Sequence, residues 1–396
     1  MNIRAISFAA IALLVLMAAP PRLDAAWMSY VDGEPVRKEF MRNVRTLFEQ
    51  EDFAELERMA NTFRAEKTRS AEGMPVLSDF YLGMETDALT AKKVEDEQGF
   101  VNMLAILRRW SQAYPGSITQ RVAEANVLLS YAWFARGGGY ANTVTDDGWD
   151  LFKERAGQAR VLLEQGPGAD GVDCPHRHML LLLAGRAEGW DTRKYEAAFR
   201  KAVAFDPSYY PIYLEKTVNI LPRWGGGDGE WQRFAVEATK LTPKEEGMTA
   251  YTYVLLGAQA YSEWTYFEEA GVSWPKMKQG YRDLERNFPN SEWNLNRFAL
   301  HAVMANDKAT VRELFERIGD RPVLAIWETR ENYETCRRLS QAGKDMPWRY
   351  KGRPAQAQPG PVIRPLPALA KYITLLAGLV TVPGTVALVL LVGLIW

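Results

Sequence analysis

Apolar residues recur along most of this chain at helical spacing. From Met179 to Ala184 an apolar run leads to Gly189 and then resumes as Tyr195, Ala198, Phe199, Ala202 and Val203, which form one face of a helix. Asp206 and Pro207 end that helix, because a proline ring pushes the preceding residue out of the α region and has no N–H to donate. A second stripe, Leu214, Thr217, Val218 and Leu221, stops at Pro222 and the glycines 225 to 227. Similar stripes run through Phe40 to Met59, Phe100 to Trp110, and Val127, Leu128, Tyr131 and Phe134. They continue in Tyr251, Val254, Leu255 and Ala258, in Leu295, Phe298, Ala299, Ala302 and Val303, and in Val311, Leu314, Phe315 and Ile318. No stretch alternates like a strand between hairpin turns. The pattern predicts an all-α chain of helix-turn-helix pairs, about seven to nine of them at about 35 to 45 residues each.

One phrase occurs three times. Leu107, Arg108, Trp110 and Pro115 share their spacing with Phe199, Arg200, Ala202 and Pro207, and with Tyr281, Arg282, Leu284 and Pro289. The two apolar positions three apart face inward, the arginine stays at the solvated edge, and the proline stops the helix. A serine follows each copy, Ser117, Ser208 and Ser291, where it can cap the next helix; Ser117 and Gln120 have capping-box spacing. Helix pairs of this kind bury their faces only by stacking.

Apolar, two residues, apolar, four residues, proline resembles the second helix of a tetratricopeptide repeat. Phe199, Ala202 and Pro207 match it best, whereas Met103, Tyr195 and Met277 stand where that repeat prefers alanine, and the copies lie 92 and 82 residues apart. Three further phrases, Pro222-Arg223-Trp224-Gly225-Gly226, Ala132-Trp133-Phe134-Ala135-Arg136-Gly137, and Asn294-Leu295-Asn296-Arg297-Phe298-Ala299 running on to Arg317-Ile318-Gly319-Asp320, resemble a bacterial family known as domain of unknown function 4034. That resemblance spans roughly residues 100 to 340. It implies a stacked, tetratricopeptide-like superhelix and supplies no activity.

The ends of the chain differ from its middle. Residues 1–26 read as a signal peptide or an uncleaved anchor: Arg4 precedes the uncharged apolar run Ala5 to Ala19, which as a helix spans only about 22 Å. Residues 27–348 carry the helical pattern, and 349–365 form a proline-rich linker. Residues 366–396 form an anchor, in which Tyr372 to Trp396 holds 25 residues without a charge. At 1.5 Å per residue that is about 37 Å, enough to cross a bilayer. The expected arrangement is a single-pass envelope protein with its helical domain on the periplasmic side, since the first hydrophobic segment usually sets orientation. Arg349, Lys351, Arg353, Arg364 and Lys371, all on the domain side of the anchor, argue the opposite way. Gly378, Gly384 and Gly393 lack the small-xxx-small spacing that would bring anchors together.

Charge excludes one class of partner. The 48 basic and 49 acidic residues leave a formal net charge of −1, so no basic field attracts nucleic acid. The 13 tryptophans suit a core better than a cage.

Candidate chemistry is sparse, and no cofactor is expected. Cys174, His176 and His178 are the only cluster of metal-ligand types, and a zinc site would need a distant fourth ligand such as His301. Otherwise the two rings are solvated in the first turn of a helix. Cys174 and Cys336 are either a bridge or separate buried thiols. Adjacent carboxylates, Asp146-Asp147, Glu245-Glu246 and Glu268-Glu269, read as solvated charge. The Arg136-Gly-Gly-Gly and Arg223-Trp224-Gly-Gly-Gly-Asp228 corners lack the Lys-Ser/Thr of a phosphate loop and read as helix caps, with Arg136, Arg223, Trp224 and Asp228 as binding-surface candidates. The functional expectation is a non-enzymatic scaffold for other envelope proteins, with the bilayer contacted through 372–396. The alternative is a metal-dependent enzyme built on Cys174, His176 and His178.

Overall fold

A computed structural model describes residues 33–85, 96–139, 141–260, 267 and 270–345. The signal-like segment, the linker and the C-terminal apolar segment lie outside the described residues. Among those described there are sixteen α-helices and no strand, and no helix is long and apolar enough to cross a membrane. The helices are α1 (Gly33–Glu49), α2 (Phe53–Glu66), α3 (Val76–Met84), α4 (Glu97–Ala113), α5 (Ile118–Arg136), α6 (Asp146–Glu164), α7 (Pro175–Ala187) and α8 (Thr192–Phe205). There follow α9 (Tyr210–Asn219), α10 (Glu230–Leu241), α11 (Thr249–Gln259), α12 (Trp274–Asn287), α13 (Glu292–Met304), α14 (Lys308–Ile318), the single turn α15 (Leu324–Trp327) and α16 (Arg330–Gln341). From α4 to α14 each helix packs on its successor. The odd-numbered helices also pack on one another, α1 on α3, α3 on α5, α5 on α7, α7 on α9 and α9 on α11. One connected core runs from Phe40 to Cys336.

The recurring phrase builds the same local structure three times. Leu107 and Trp110, Phe199 and Ala202, Tyr281 and Leu284 are all buried, and α4, α8 and α12 end two residues before their prolines. The residue between, Tyr114, Asp206 or Phe288, has left the α region, with φ −129°, −145° and −136°, and still donates its N–H to the carbonyl four back, that of Trp110, Ala202 or Leu284, at 2.8, 3.1 and 2.7 Å. Exclusion from the α region before a proline is what the pyrrolidine ring enforces. Ser117 and Ser291 cap α5 and α13, accepting from the N–H groups of Gln120 and Asn294 at 3.0 and 2.9 Å. Ser208 does not cap α9. Its hydroxyl and N–H both turn back to the Asp206 carboxylate, and Tyr209 takes the cap position instead. The capping box at Ser117 forms only by half, because the Gln120 amide donates to the Leu107 carbonyl rather than closing the box.

Between α2 and α3 residues 67–75 form a strap across the starts of α7, α9, α11 and α13. Arg69 donates to its own strap at the Gly73 carbonyl and to the Ser208 carbonyl, both at 2.6 Å, and its guanidinium lies 5.1 Å over the Tyr210 ring. Lys67 pairs with Asp206 at 3.1 Å. The Glu72 carbonyl accepts from the Tyr253 hydroxyl at 2.5 Å and from the Asn294 amide at 3.0 Å, contacts 181 and 222 residues apart in sequence. Glu246 is not a solvated charge: it accepts from the Tyr210 hydroxyl at 2.7 Å and lies 3.5 Å from Arg69.

Gly73 holds the strap against this surface. Its φ is +89°, and a Cβ there would lie 2.7 Å from the Phe288 ring and 2.9 Å from the Tyr253 hydroxyl. Gly73→Ala is therefore expected to lower stability by about 1–3 kcal/mol through strain and displacement. Gly157→Ala, inside α6 with only a Glu188 oxygen at 3.8 Å, is the control and is expected to leave stability unchanged or raise it by up to about 1 kcal/mol. Urea midpoints of the two variants check both.

Candidate functional site

At the other end of the odd-numbered row, the ends of α5, α7 and α9 converge. Arg136 closes α5, Arg186 lies in the last turn of α7, and the 3₁₀ turn Pro222–Trp224 follows α9. Cationic side chains are favoured here because helix C-termini present unpaired carbonyls and the negative end of the dipole. Trp133 and Trp224 meet edge to face, with centroids 5.6 Å apart and planes at 88°, and Trp133 and Trp149 both pack on Phe152. The Arg136 guanidinium lies among three indoles, 5.5, 5.3 and 5.8 Å from Trp133, Trp149 and Trp224. Arg186 lies 5.1 and 4.9 Å from Trp133 and Trp224. Such contacts contribute about 0.5–2 kcal/mol each, more as water is excluded.

The two arginines differ in their partners. Arg186 holds Glu215 of α9 through its Nε and Nη2 edge, at 2.6 and 3.3 Å. Arg136 donates from Nη1 to the carbonyls of Gly137 and Gly139, at 3.1 and 3.0 Å. Burial lowers the affinity of Arg136 for its proton, and the positive charges of Arg223 and Arg186 lower it further. The Trp224 Nε1 is buried and meets no acceptor among the described residues.

Glycine is required where the chain turns after Trp224. Gly225 has φ +94°, the left-handed conformation of a helix end, and a Cβ on Gly226 would lie 1.9 Å from the Ile220 carbonyl oxygen. The glycines of this corner are thus caps that position Trp224.

Of the four residues singled out in the sequence, the fold brings together Arg136, Arg223 and Trp224; Arg223 lies 5.8 Å from the Trp224 ring. Asp228 stays exposed beyond the corner, where its carbonyl accepts from Arg233. Trp149, Arg186 and Glu215 complete the cluster. Nothing in their sequence neighbourhoods marks them, since α6, α7 and α9 meet only through packing.

The histidines and cysteines lie apart from this corner. Cys174 is buried, with its sulfur 3.6 Å from the Tyr81 hydroxyl. His176 stacks on Tyr81 at 4.6 Å, and its Nδ1 lies 2.7 Å from the Tyr209 hydroxyl. His178 bonds Asp173 at 3.0 Å and stacks on Phe205, while His301 lies on α13 beside Tyr281, the Arg297 carbonyl and Gln259. The two α7 rings are in the first turn as expected, but they are buried rather than solvated, because Tyr81, Tyr209 and Phe205 close over them. Among the described residues no group of three His, Cys, Asp or Glu side chains is placed to hold a metal ion. Cys174 and Cys336 are both free, buried thiols. Burial and bonds act on Asp173 in opposite senses: burial raises its carboxyl pKa, and the bonds from His178 and Arg177 outweigh that and hold it well below the carboxylate range. Beside the strap, the crevice between Arg64, Thr68, Pro175 and Tyr209 has room for about one water molecule.

Residues 40–161 match the family model described as Domain of unknown function (DUF4034). No curated protein and no solved structure matches the chain. The match runs from α1 into α6, so it includes Trp133, Arg136 and Trp149. The expected span of roughly 100 to 340 holds only from 100 to 161, and the family segment begins well upstream, at residue 40. The phrases around Trp224 and around Asn294 to Asp320 lie outside it.

The buried rings set a pH dependence. Burial holds His176 neutral down to about pH 3 and, with smaller contributions from Arg297, His301 down to about pH 4, whereas both titrate near 6.5 in the unfolded chain. Between those values the unfolded state binds more protons, so stability falls as pH drops below 6.5, by about 1.4 kcal/mol per pH unit for each ring. Urea midpoints between pH 7 and 4.5 are expected to decline, and His176→Gln is expected to remove about half of the decline.

Proposed function

We propose that this chain is a non-catalytic interaction scaffold whose docking element is the Arg136–Trp224 corner. The carrying observation is that two glycine-ended corners, 88 residues apart in sequence at Arg136 and Trp224, meet in space around half-buried guanidinium and indole groups, with Arg223 exposed at their edge. Arginine and tryptophan are the side chains that most often dominate binding energy at protein interfaces. The strap already covers the starts of the odd-numbered helices, which leaves their far ends for a partner. Stacked helix pairs, as the repeated phrase suggests, give such a corner a rigid frame. The partner is another envelope protein, and the scaffold is exported and held at the membrane by residues 372–396. The uncharged apolar runs at both ends of the sequence support that placement.

Photo-crosslinking tests the docking element. A crosslinking amino acid at Phe134 or Arg223, both exposed at the corner, is expected to give one adduct of discrete mass in intact cells. The same probe at Arg108, exposed on α4, is expected to give none; equal labelling from all three positions would sink the proposal. Protease treatment of intact spheroplasts tests the placement. Digestion of the helical domain from outside is expected, and protection until lysis would put the domain in the cytoplasm.

A further inference from the structure

We infer that the corner recognises a carboxylate, carried by an acidic segment of the partner, through the Nε and Nη2 edge of Arg136; this inference rests on the docking reading above. The corner already contains the interaction in miniature. Arg186, against Trp133 and Trp224, grips the Glu215 carboxylate with Nε and Nη2. Arg136 shares those two indoles and adds Trp149, yet among the described residues its bonds leave from Nη1 alone, to two backbone carbonyls. Its Nε and Nη2 edge, the fork that matches a carboxylate in two parallel bonds, meets no acceptor among the described residues. That edge is not sealed in, since neither nitrogen is among the buried atoms lacking a partner, whereas the neighbouring Trp224 Nε1 is.

Two features favour a carboxylate on a peptide. The guanidinium is held among three indoles at 5.3–5.8 Å and by two carbonyls at one tip, and its remaining fork matches a planar acceptor approaching edge-on. Charge points the same way, because Arg186 and Arg223 are close enough to disfavour a further cation at Arg136, and an incoming anion relieves that repulsion.

The test is fluorescence anisotropy of a labelled glutamate-rich peptide titrated with the purified full-length chain in non-ionic detergent. Saturable binding is expected, with none for the glutamine counterpart and none competed by inorganic phosphate at equal concentration. Arg136→Gln is expected to weaken it roughly tenfold or more, and Arg136→Lys about as much, since lysine keeps the charge and loses the fork. Full binding by the lysine variant would overturn the fork. Stronger retention on phosphatidylglycerol vesicles than on the peptide would assign the corner to lipid and overturn the inference. Should Arg136→Gln fail to fold, the wild-type chain still decides the matter: the peptide is expected to protect Arg136 from phenylglyoxal, and unprotected modification overturns the inference. Absence of peptide binding with the corner crosslinks intact rejects the carboxylate alone, whereas loss of the crosslinks rejects the docking reading as well.

Discussion

The contact between the strap and the starts of the odd-numbered helices is what turns a row of local pairs into one body. Neighbouring helices pack through short connections, so most of the fold forms from residues close in sequence, and such contacts cost little loop entropy. Arg69 and Glu72 do something else, joining α2 and α3 to chain 139 to 222 residues later. Their partners are specific groups: the Ser208 carbonyl, the Tyr210 ring, the Tyr253 hydroxyl and the Asn294 amide. The Glu72 carbonyl, half-buried at this contact, takes one donor from each of two helices. The strap thereby fixes α9, α11 and α13 relative to the family segment at the start of the chain.

That arrangement also decides which helix ends the chain covers with its own loop. Helix starts offer N–H groups and positive potential, and here the chain spends that end on its own loop. Helix ends offer carbonyls, which draw arginines, and arginines draw indole faces. The Arg136–Trp224 corner follows from those preferences, and so does its asymmetry: Arg186 is answered by Glu215, while Arg136 is answered, among the described residues, by the carbonyls of its own glycine turn. One guanidinium thus has a structural role at Nη1, which ties down the glycine turn after α5, and an opposite edge that meets no acceptor among the described residues.

The histidines illustrate the reverse situation. Their residue types suggest chemistry, yet each ring is spent on packing. His176 fills the space between Tyr81 and Tyr209, His178 covers Phe205 and ties to Asp173, and His301 bonds three groups around α13. Burial keeps His176 and His301 neutral, which suits a core and costs stability in acid.

Periodicity in the sequence was enough to read the helices and their inward faces, because apolar spacing and proline stops act within one or two turns. The triplicate phrase shows this best, with all six inward positions buried and all three prolines ending helices as their geometry requires. Serine caps were legible at Ser117 and Ser291, where nothing competed, and not at Ser208, where a carboxylate two residues back took the hydroxyl. The Gly-Trp corners were visible as two separate phrases. Tertiary structure alone decided that they touch, that Trp149, Arg186 and Glu215 join them, and that the strap reaches Tyr253 and Asn294. Those contacts depend on the rotation and order of helices around the core, which no local pattern encodes because each is set by the packing of all the others.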